Sequence, residues 1–250
     1  MFDQHFEAIL ADNDEAKRIH YNIRYQVYCL EAGYEDPNAF ADGEEKDQWD
    51  EHAAHFLVRS KATGQWIAAM RLILPVGSRS HPVFQFCDID PCISHLSETV
   101  MTGEVSRLCV LGTYRRRLAP AMRSAIITTH GQDTAPHGQL RERCKEPLIA
   151  LGLFRAAAQY SREQGIPYWY FLTTSALARA LRRMNVQMAI AGTSCLHNGE
   201  RHPFWINVQT AIEGARHGSA LVAQMLEARF GYRRYSEFCT SSRQLQSCAA

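Results

Sequence analysis

One stretch of this 250-residue chain sets three different functional groups into an otherwise apolar run: Gly103-Glu104-Val105-Ser106-Arg107-Leu108-Cys109-Val110-Leu111. A carboxylate, a hydroxyl and a guanidinium are costly inside a strand unless they are paired. The run therefore reads either as a structural ion pair or as part of a site. Strand alternation puts Glu104 and Ser106 on one face and Arg107 on the other, unless a bulge shifts the register. Glu104 is the candidate general base, and Ser106 can orient a water or a reacting carbonyl. Arg24 sits in the middle of an amphipathic helix, Arg71 interrupts a strand, and Asp47 and Asp50 stand just before another strand. Arginines and acids at positions that normally face a core point to one buried network, which fixes geometry more than it stabilises.

Other chemistry-bearing residues read more blandly. Cys109 has no histidine at a matching spacing and is expected to be a small buried hydrophobe. His52-x-x-His55, beside Asp50 and Glu51, straddles a strand start that turns the two rings to opposite faces, so no metal site is expected. The run from Glu31 to Glu51 holds nine acids and one lysine and is expected to be a solvated, mobile lid. Tyr168, Trp169 and Tyr170 are expected in the core, with one face available to line an apolar tunnel. Residues 113–146 are the most basic part, with Arg115, Arg116, Arg117, Arg123, Arg141, Arg143 and Lys145. Aromatics are not interleaved between 115 and 145, which argues against nucleic acid.

The elements that must position these groups follow from periodicity. Ile19, Ile23, Val27 and Leu30 predict a helix over 14–32 capped by Asp14. Strands are predicted at 53–59 and 65–74, joined by a short Gly64-containing hairpin link, and at 103–111. Residues 75–101 read mostly as loop. Pro147 and Gly165 bracket a helix; a strand follows at 167–174 and a short helix at 176–184. Two more strands, 186–191 and 203–209, flank the turn at Asn198-Gly199, and a last helix spans 213–230. The fold class expected is α+β with a mixed central sheet, a single domain over 1–235 and a mobile tail over 236–250.

Composition excludes several classes. The chain is 46% hydrophobic and 21% charged, with Lys+Arg 27 against Asp+Glu 26 and a net charge of +1. These values fit a globular protein and give no global drive toward nucleic acid or a membrane surface. No apolar run reaches the roughly 18–20 residues that span a bilayer, and the acidic N-terminus does not read as a secretory signal. The eight cysteines form no CxxC pair, so reduced thiols in a cytoplasmic protein are expected.

The set Arg24, Tyr28, Asp47-x-x-Asp50, Arg71 and Glu104-x-Ser106-Arg107 resembles the signature of acyl-homoserine lactone autoinducer synthases. Over residues 1 to about 235 the chain is more similar to the acyltransferases associated with PEP-CTERM/exosortase systems, relatives of N-acyl amino acid synthases. The stretches that carry this are Arg24-Tyr25-Gln26-Val27-Tyr28-Cys29 with Glu31, Glu104 to Leu108, Arg115-Arg116-Arg117, Leu151 to Arg155 and Leu181 to Met184. The resemblance implies a GNAT-type acyltransferase fold in which the strands at 103–111 and 167–174 splay apart around a pantetheine arm. It also implies transfer of a long-chain acyl group from acyl carrier protein to the amine of an amino acid, with the donor's acyl-phosphopantetheine and no other cofactor. Arg24, Arg71 and Arg107 with Asp47 and Asp50 would then form the acceptor end, some of these arginines taking the acceptor's carboxylate. Arg115 to Arg117 would dock the acidic carrier protein.

Two departures bear on substrate. Tyr28 and Tyr34 stand where the lactone synthases usually have Phe and Trp, which weakens the case for S-adenosylmethionine as acceptor. The acetyl-CoA loop of the fold, R/Q-x-x-G-x-G/A, is replaced by Tyr114-Arg115-Arg116-Arg117-Leu118-Ala119-Pro120, and without glycines the backbone does not readily wrap a pyrophosphate. The alternatives are a lactone synthase using S-adenosylmethionine, or a non-catalytic regulator that binds acyl chains or the carrier protein.

Overall fold

The computed structural model describes residues 2–75, 81–116, 145–218, 223 and 231–238. Among them, nine strands form one sheet: β1 (Phe6–Leu10), β2 (Ala53–Ser60), β3 (Trp66–Ile73), β4 (Thr102–Val110), β5 (Tyr168–Thr173), β6 (Ala189–Ile190), β7 (Cys195–Leu196), β8 (Glu200–Asn207) and β9 (Arg233–Arg234). Their order is β6-β8-β5-β4-β3-β2-β1-β9, with β7 also paired to β8. β4–β5 and β1–β9 are parallel and the other pairs antiparallel. The parallel β4–β5 step is made by the helix Lys145–Glu163, as a crossover requires.

The two faces carry different residues. Val58, Ala68, Met70, Leu72, Val105 and Phe171 pack under the helices Lys145–Glu163 and Val208–Gly218 as the larger core. Ile9, Leu57, Ala69 and Cys109 on the opposite face pack against Ala16, Ile23 and Val27, which belong to the helix Asp14–Arg24 and its π-helical continuation Tyr25–Glu31. Tyr170 and Trp205 form a third cluster there with Val83 and Cys87. No helix among the described residues is long and apolar enough to cross a membrane.

Several expected elements are corrected. The first helix is capped by Asn13, whose side chain accepts from the Ala16 N–H, so Asp14 is its first residue rather than its cap. The N-terminal residues add a helical turn (Phe2–His5) and β1, because Phe6, Ala8, Ile9 and Leu10 are all buried. Strands buried on both faces lack the period-2 signature, so the pattern did not reveal β1. Residues 75–101 contain the helices Val83–Phe86 and Pro91–Thr99, the second capped by Asp90 with Pro91 in its first turn. Only Ala189–Ile190 of the expected strand 186–191 pairs. The last helix begins at Val208. Residues 235–238 form a helical turn in which the Ser236 hydroxyl donates to Asp12 at 2.6 Å; the rest of the expected tail, 239–250, lies outside the described residues.

Gly152 in the helix Lys145–Glu163 faces the fully buried Phe2 ring, and a Cβ there falls inside the ring's van der Waals envelope. Alanine is favoured over glycine in a helix by about 1 kcal/mol, but overpacking of a core costs roughly 1–3 kcal/mol. Gly152→Ala is therefore expected to lower the urea midpoint, and adding Phe2→Leu is expected to recover part of the loss. Additive effects in this double-mutant cycle would show that the two sites do not meet.

Candidate active site

β4 and β5 pair over only four rungs, Thr102↔Tyr168 to Val105↔Phe171, and then separate. Between their free halves lies a cavity of about 490 Å³, lined on one side by Ser106 to Val110 and on the other by Phe171 to Thr174. Leu177, Ala180, Leu181 and Met184 supply apolar walls and Tyr28, Tyr34 and Arg201 its rim. The backbone edges that face this gap are not paired with each other, so an extended ligand can complete the ladder there. Tyr168, Trp169 and Tyr170 do not line it. Their side chains stay on the paired rungs, in the cores of the two faces.

The splay coincides with a β-bulge. The β3–β4 register passes from Ala69↔Cys109 to Arg71↔Ser106, so β4 carries an extra residue, and Arg107 has φ +52. A non-glycine residue in the left-handed region is uncommon and needs support from its surroundings. The bulge turns Arg107 onto the face of Glu104, Ser106 and Arg71, which strict alternation denies it.

On that face three guanidiniums meet three carboxylates. Arg24, fully buried, donates through Nε to Glu45 at 2.5 Å and through Nη1 to Asp50 at 2.6 Å. Arg71, also buried, donates through Nε to Ser106 Oγ at 3.0 Å and through Nη1 to Asp47 at 2.6 Å, with Asp50 at 2.9 Å. Arg107 donates through Nη2 to Glu45 at 3.0 Å and Asp47 at 3.1 Å. The Asp47 and Asp50 side chains also close a capping box on the 3₁₀ turn Gln48–His52, which explains their i,i+3 spacing. Burial opposes ionisation of Asp50, yet His55, Arg24 and Arg71 hold its carboxyl well below the usual range. Glu45 and Asp47 are depressed in the same way, by Arg24 and Arg107 and by Arg71 and Arg107. His55 is not paired with His52: it is buried with Nε2 3.0 Å from Asp50, while His52 is exposed.

One sequence-based expectation changes here. The acid-rich run is not wholly a solvated lid, since Glu45 is 1% exposed and Asp50 5% exposed. Arg24, Arg71 and Arg107 are each paired with carboxylates of that run. Glu45 escaped the sequence reading because nothing in a run of nine acids marks the one that turns inward.

Glu104 lies on the same face as Ser106, one rung into the paired part of β4, but it does not line the cavity. The turn Val83–Phe86 covers it, and its Oε2 accepts the Val83 N–H at 3.0 Å. Burial pushes its carboxyl up to about 7, the Val83 hydrogen bond and the Arg71 and Arg107 charges only partly opposing. His81, two residues before that turn, is driven down to about 4 by burial. A covered carboxyl that titrates near neutrality can hold or release a proton, but it needs a water or a small movement to reach a ligand.

The remaining expected residues sit at the rim. Arg107 stacks 5.3 Å from the Tyr28 ring centroid, and Tyr28 lies 6.1 Å from Tyr34. Burial pushes the Tyr28 phenol well above its ordinary range. Glu31 reaches across to the helix Gly112–Arg116, both carboxylate oxygens accepting the Gly112 N–H at 2.8 and 3.0 Å. Arg117 and the side chains of Arg115 and Arg116 lie outside the described residues.

Residues 23–125 match the family model described as an acetyltransferase (GNAT) domain. The fold is the GNAT fold. Its mixed open sheet, flanked by helices and parted between β4 and β5, is the arrangement the resemblance implied. No curated protein matches the chain. Solved structures similar to it include TofI in a ternary complex with an inhibitor and MTA, at 15% identity and a TM-score of 0.56, covering 86% of this chain and 99% of that one. A CoA-dependent acyl-homoserine lactone synthase, BjaI with SAM and isopentyl-CoA, has 15% identity and a TM-score of 0.55, covering 92% of each chain. FeeM, an N-acyl amino acid synthase from uncultured soil microbes, has 14% identity and a TM-score of 0.54, covering 88% of this chain and 97% of that one.

The raised Glu104 carboxyl carries a stability consequence with a definite sign. Folding favours its protonated form, so its contribution is fully present below the unfolded value of 4.5 and is lost as the pH rises through about 7. That difference corresponds to about 3 kcal/mol. Glu104→Gln keeps an acceptor for the Val83 N–H and cannot ionise. It is expected to raise the urea unfolding free energy by roughly 2–3 kcal/mol at pH 8 and by almost nothing at pH 4.5. A destabilised variant at pH 8 would mean that the ionised carboxylate is well accommodated in the fold.

Proposed function

We propose that this protein is an N-acyltransferase that moves a long-chain acyl group from the phosphopantetheine thioester of acyl carrier protein to the amine of an amino acid. The observation that carries this reading is the cavity between the parted halves of β4 and β5, with apolar side chains on one flank and the Ser106–Arg107 bulge on the other. An extended pantetheine arm fits unpaired strand edges, an acyl chain fits apolar walls, and the charge network ends at the point where the two meet. The Glu31 carboxylate on the Gly112 N–H supports a carrier-protein donor, because it places negative charge where the loop after β4 would otherwise meet a CoA pyrophosphate. The basic run Arg115 to Arg117 follows directly and suits an acidic protein surface.

Transfer is thioester aminolysis. The amine nitrogen attacks the thioester carbon, the C–S bond breaks, the pantetheine thiolate leaves with a proton, and an amide forms. The attacking amine must first lose its ammonium proton, since an α-amino group with a pKa near 8 is largely protonated at neutral pH. In this reading Glu104 takes that proton through a bridging water at Ser106, and backbone N–H groups freed at the bulge face the developing oxyanion. The Arg71 Nε–H on Ser106 Oγ fixes the hydroxyl's orientation. Arg24, Asp47 and Asp50 hold the first helix and its loop against the sheet, and so hold Tyr28 and Tyr34 at the cavity rim.

With long-chain acyl carrier protein and a mixture of amino acids, purified protein is expected to release free thiol and form an acyl amide, which mass spectrometry would detect. Glu104→Gln is expected to lower kcat about 10²–10⁴-fold, and the wild-type kcat/KM is expected to rise with pH through an apparent pKa near 7. Product that appears only with S-adenosylmethionine would make the protein a homoserine lactone synthase. Carrier-protein binding with no thiol release from any acceptor would make it a binding regulator.

Reversing the charge of Arg115, Arg116 and Arg117 together is expected to raise KM for the carrier-protein donor about tenfold or more at low salt, and less at high salt. A small acyl-pantetheine donor should be unaffected. Equal losses on both donors would remove the docking role.

A further inference from the structure

Arg201, on β8, stands at the cavity rim on the β5 side, facing the Ser106–Arg107 bulge across the gap. It lies one step beyond the rung Thr173↔His202, where β4 and β5 have already parted. It is half-buried. Its guanidinium rests 5.9 Å from the Tyr34 ring centroid, and the hydrogen bond it makes is to the Glu200 carbonyl at 3.5 Å. Among the described residues no carboxylate pairs with it, whereas Arg24 and Arg71 each have two and Arg107 has three, Glu45, Asp47 and, at 3.8 Å, Glu35. His197, two residues past the β7 edge strand's first residue, stacks on Phe86 at 3.9 Å; burial and then the charges of Arg107 and Arg201 keep its ring toward the neutral form.

We propose that Arg201 binds the carboxylate of the acceptor amino acid, with Tyr34 as the platform that holds the guanidinium plane across the cleft from Ser106. This rests on the acyltransferase reading above and names the feature of the acceptor that the site selects. A planar fork of donors suits a carboxylate, and the aromatic face fixes its orientation. A chain of contacts from Arg107 through Tyr28 and Tyr34 to Arg201 spans the mouth, so an anion held at Arg201 sits in the same cavity as the bulge. The Arg201 guanidinium, which has no carboxylate partner among the described residues, also makes the rim unfavourable for a sulfonium cation. The phosphate of the donor's pantetheine arm is an anion of the same binding chemistry, and its KM is the measurement that separates the two sources.

The test pairs binding with kinetics on the full chain. In calorimetric titrations, N-dodecanoylglycine is expected to bind wild type about tenfold or more tightly than N-dodecanoylglycinamide. Arg201→Gln is expected to abolish that preference, and Arg201→Lys to keep part of it. In turnover, Arg201→Gln is expected to raise KM for the amino acid about tenfold or more, leaving kcat within about threefold and the carrier-protein KM unchanged. Absence of an acid preference in wild type, or its survival in Arg201→Gln, overturns the proposal. So does a rise confined to the donor's KM, which would assign Arg201 to the phosphate. The titration does not require catalysis: an Arg201-dependent preference without amide formation would sink the acyltransferase reading and leave the carboxylate site standing, and turnover indifferent to Arg201 would do the reverse.

Discussion

The structure turns on one electrostatic constraint: three guanidiniums, two of them fully buried, must be neutralised away from water. A lone buried charge costs several kcal/mol, and removing one member of a buried pair typically costs 3–5 kcal/mol. Arg24 from the first helix, Arg71 from β3 and Arg107 from β4 therefore cannot be satisfied separately. They draw Glu45, Asp47 and Asp50 out of an acid-rich loop and onto the sheet. The numbers of cations and anions match, so the cluster is close to neutral as a whole. Its contribution is positional, since it locks a helix, a loop and two strands in a single arrangement.

The bulge at Arg107 and the parting of β4 from β5 belong to the same arrangement. Arg107 reaches Glu45 and Asp47 only because an extra residue turns it to the face of Ser106. The same local twist carries β4 away from β5 after Val105. The left-handed φ of Arg107 is held by its carboxylate partners and by the Tyr28 ring. A cavity thus opens where pairing fails, and the residues that make pairing fail are the polar ones that border it.

Glu104 shows the opposite economy. Its neighbours Ser106 and Arg107 border the cavity, yet it is covered by the Val83–Phe86 turn with one N–H as partner. A carboxyl in such a place prefers its proton, and a pKa near 7 lies close to the operating range of a general base. A group that weakens the fold when ionised is a recognised mark of functional sites, where the stability optimum and the chemical one differ.

The primary sequence by itself determined much of this protein. Apolar spacing located the first helix, β2, β3, β4, β5 and the helix over 147–164, and polar or charged residues inside or beside those runs singled out Arg24, Arg71, Ser106 and Arg107 along with Asp47 and Asp50. That works because an arginine inside a buried periodic pattern is anomalous whatever the tertiary fold. Only the tertiary structure decided which partners answer those charges. Glu45 is one acid among nine until the loop folds inward, and Arg201 is an ordinary strand residue until β8 brings it beside Tyr34. β1, buried on both faces, has no alternating pattern to read. The helices within 75–101 are short, and Val83–Phe86 has no side-chain cap to announce it, so the turn that covers Glu104 was invisible as well. Local periodicity reports where a residue sits on its own element; which element covers it is set by packing between segments far apart in the chain, and pattern along the chain carries no record of that.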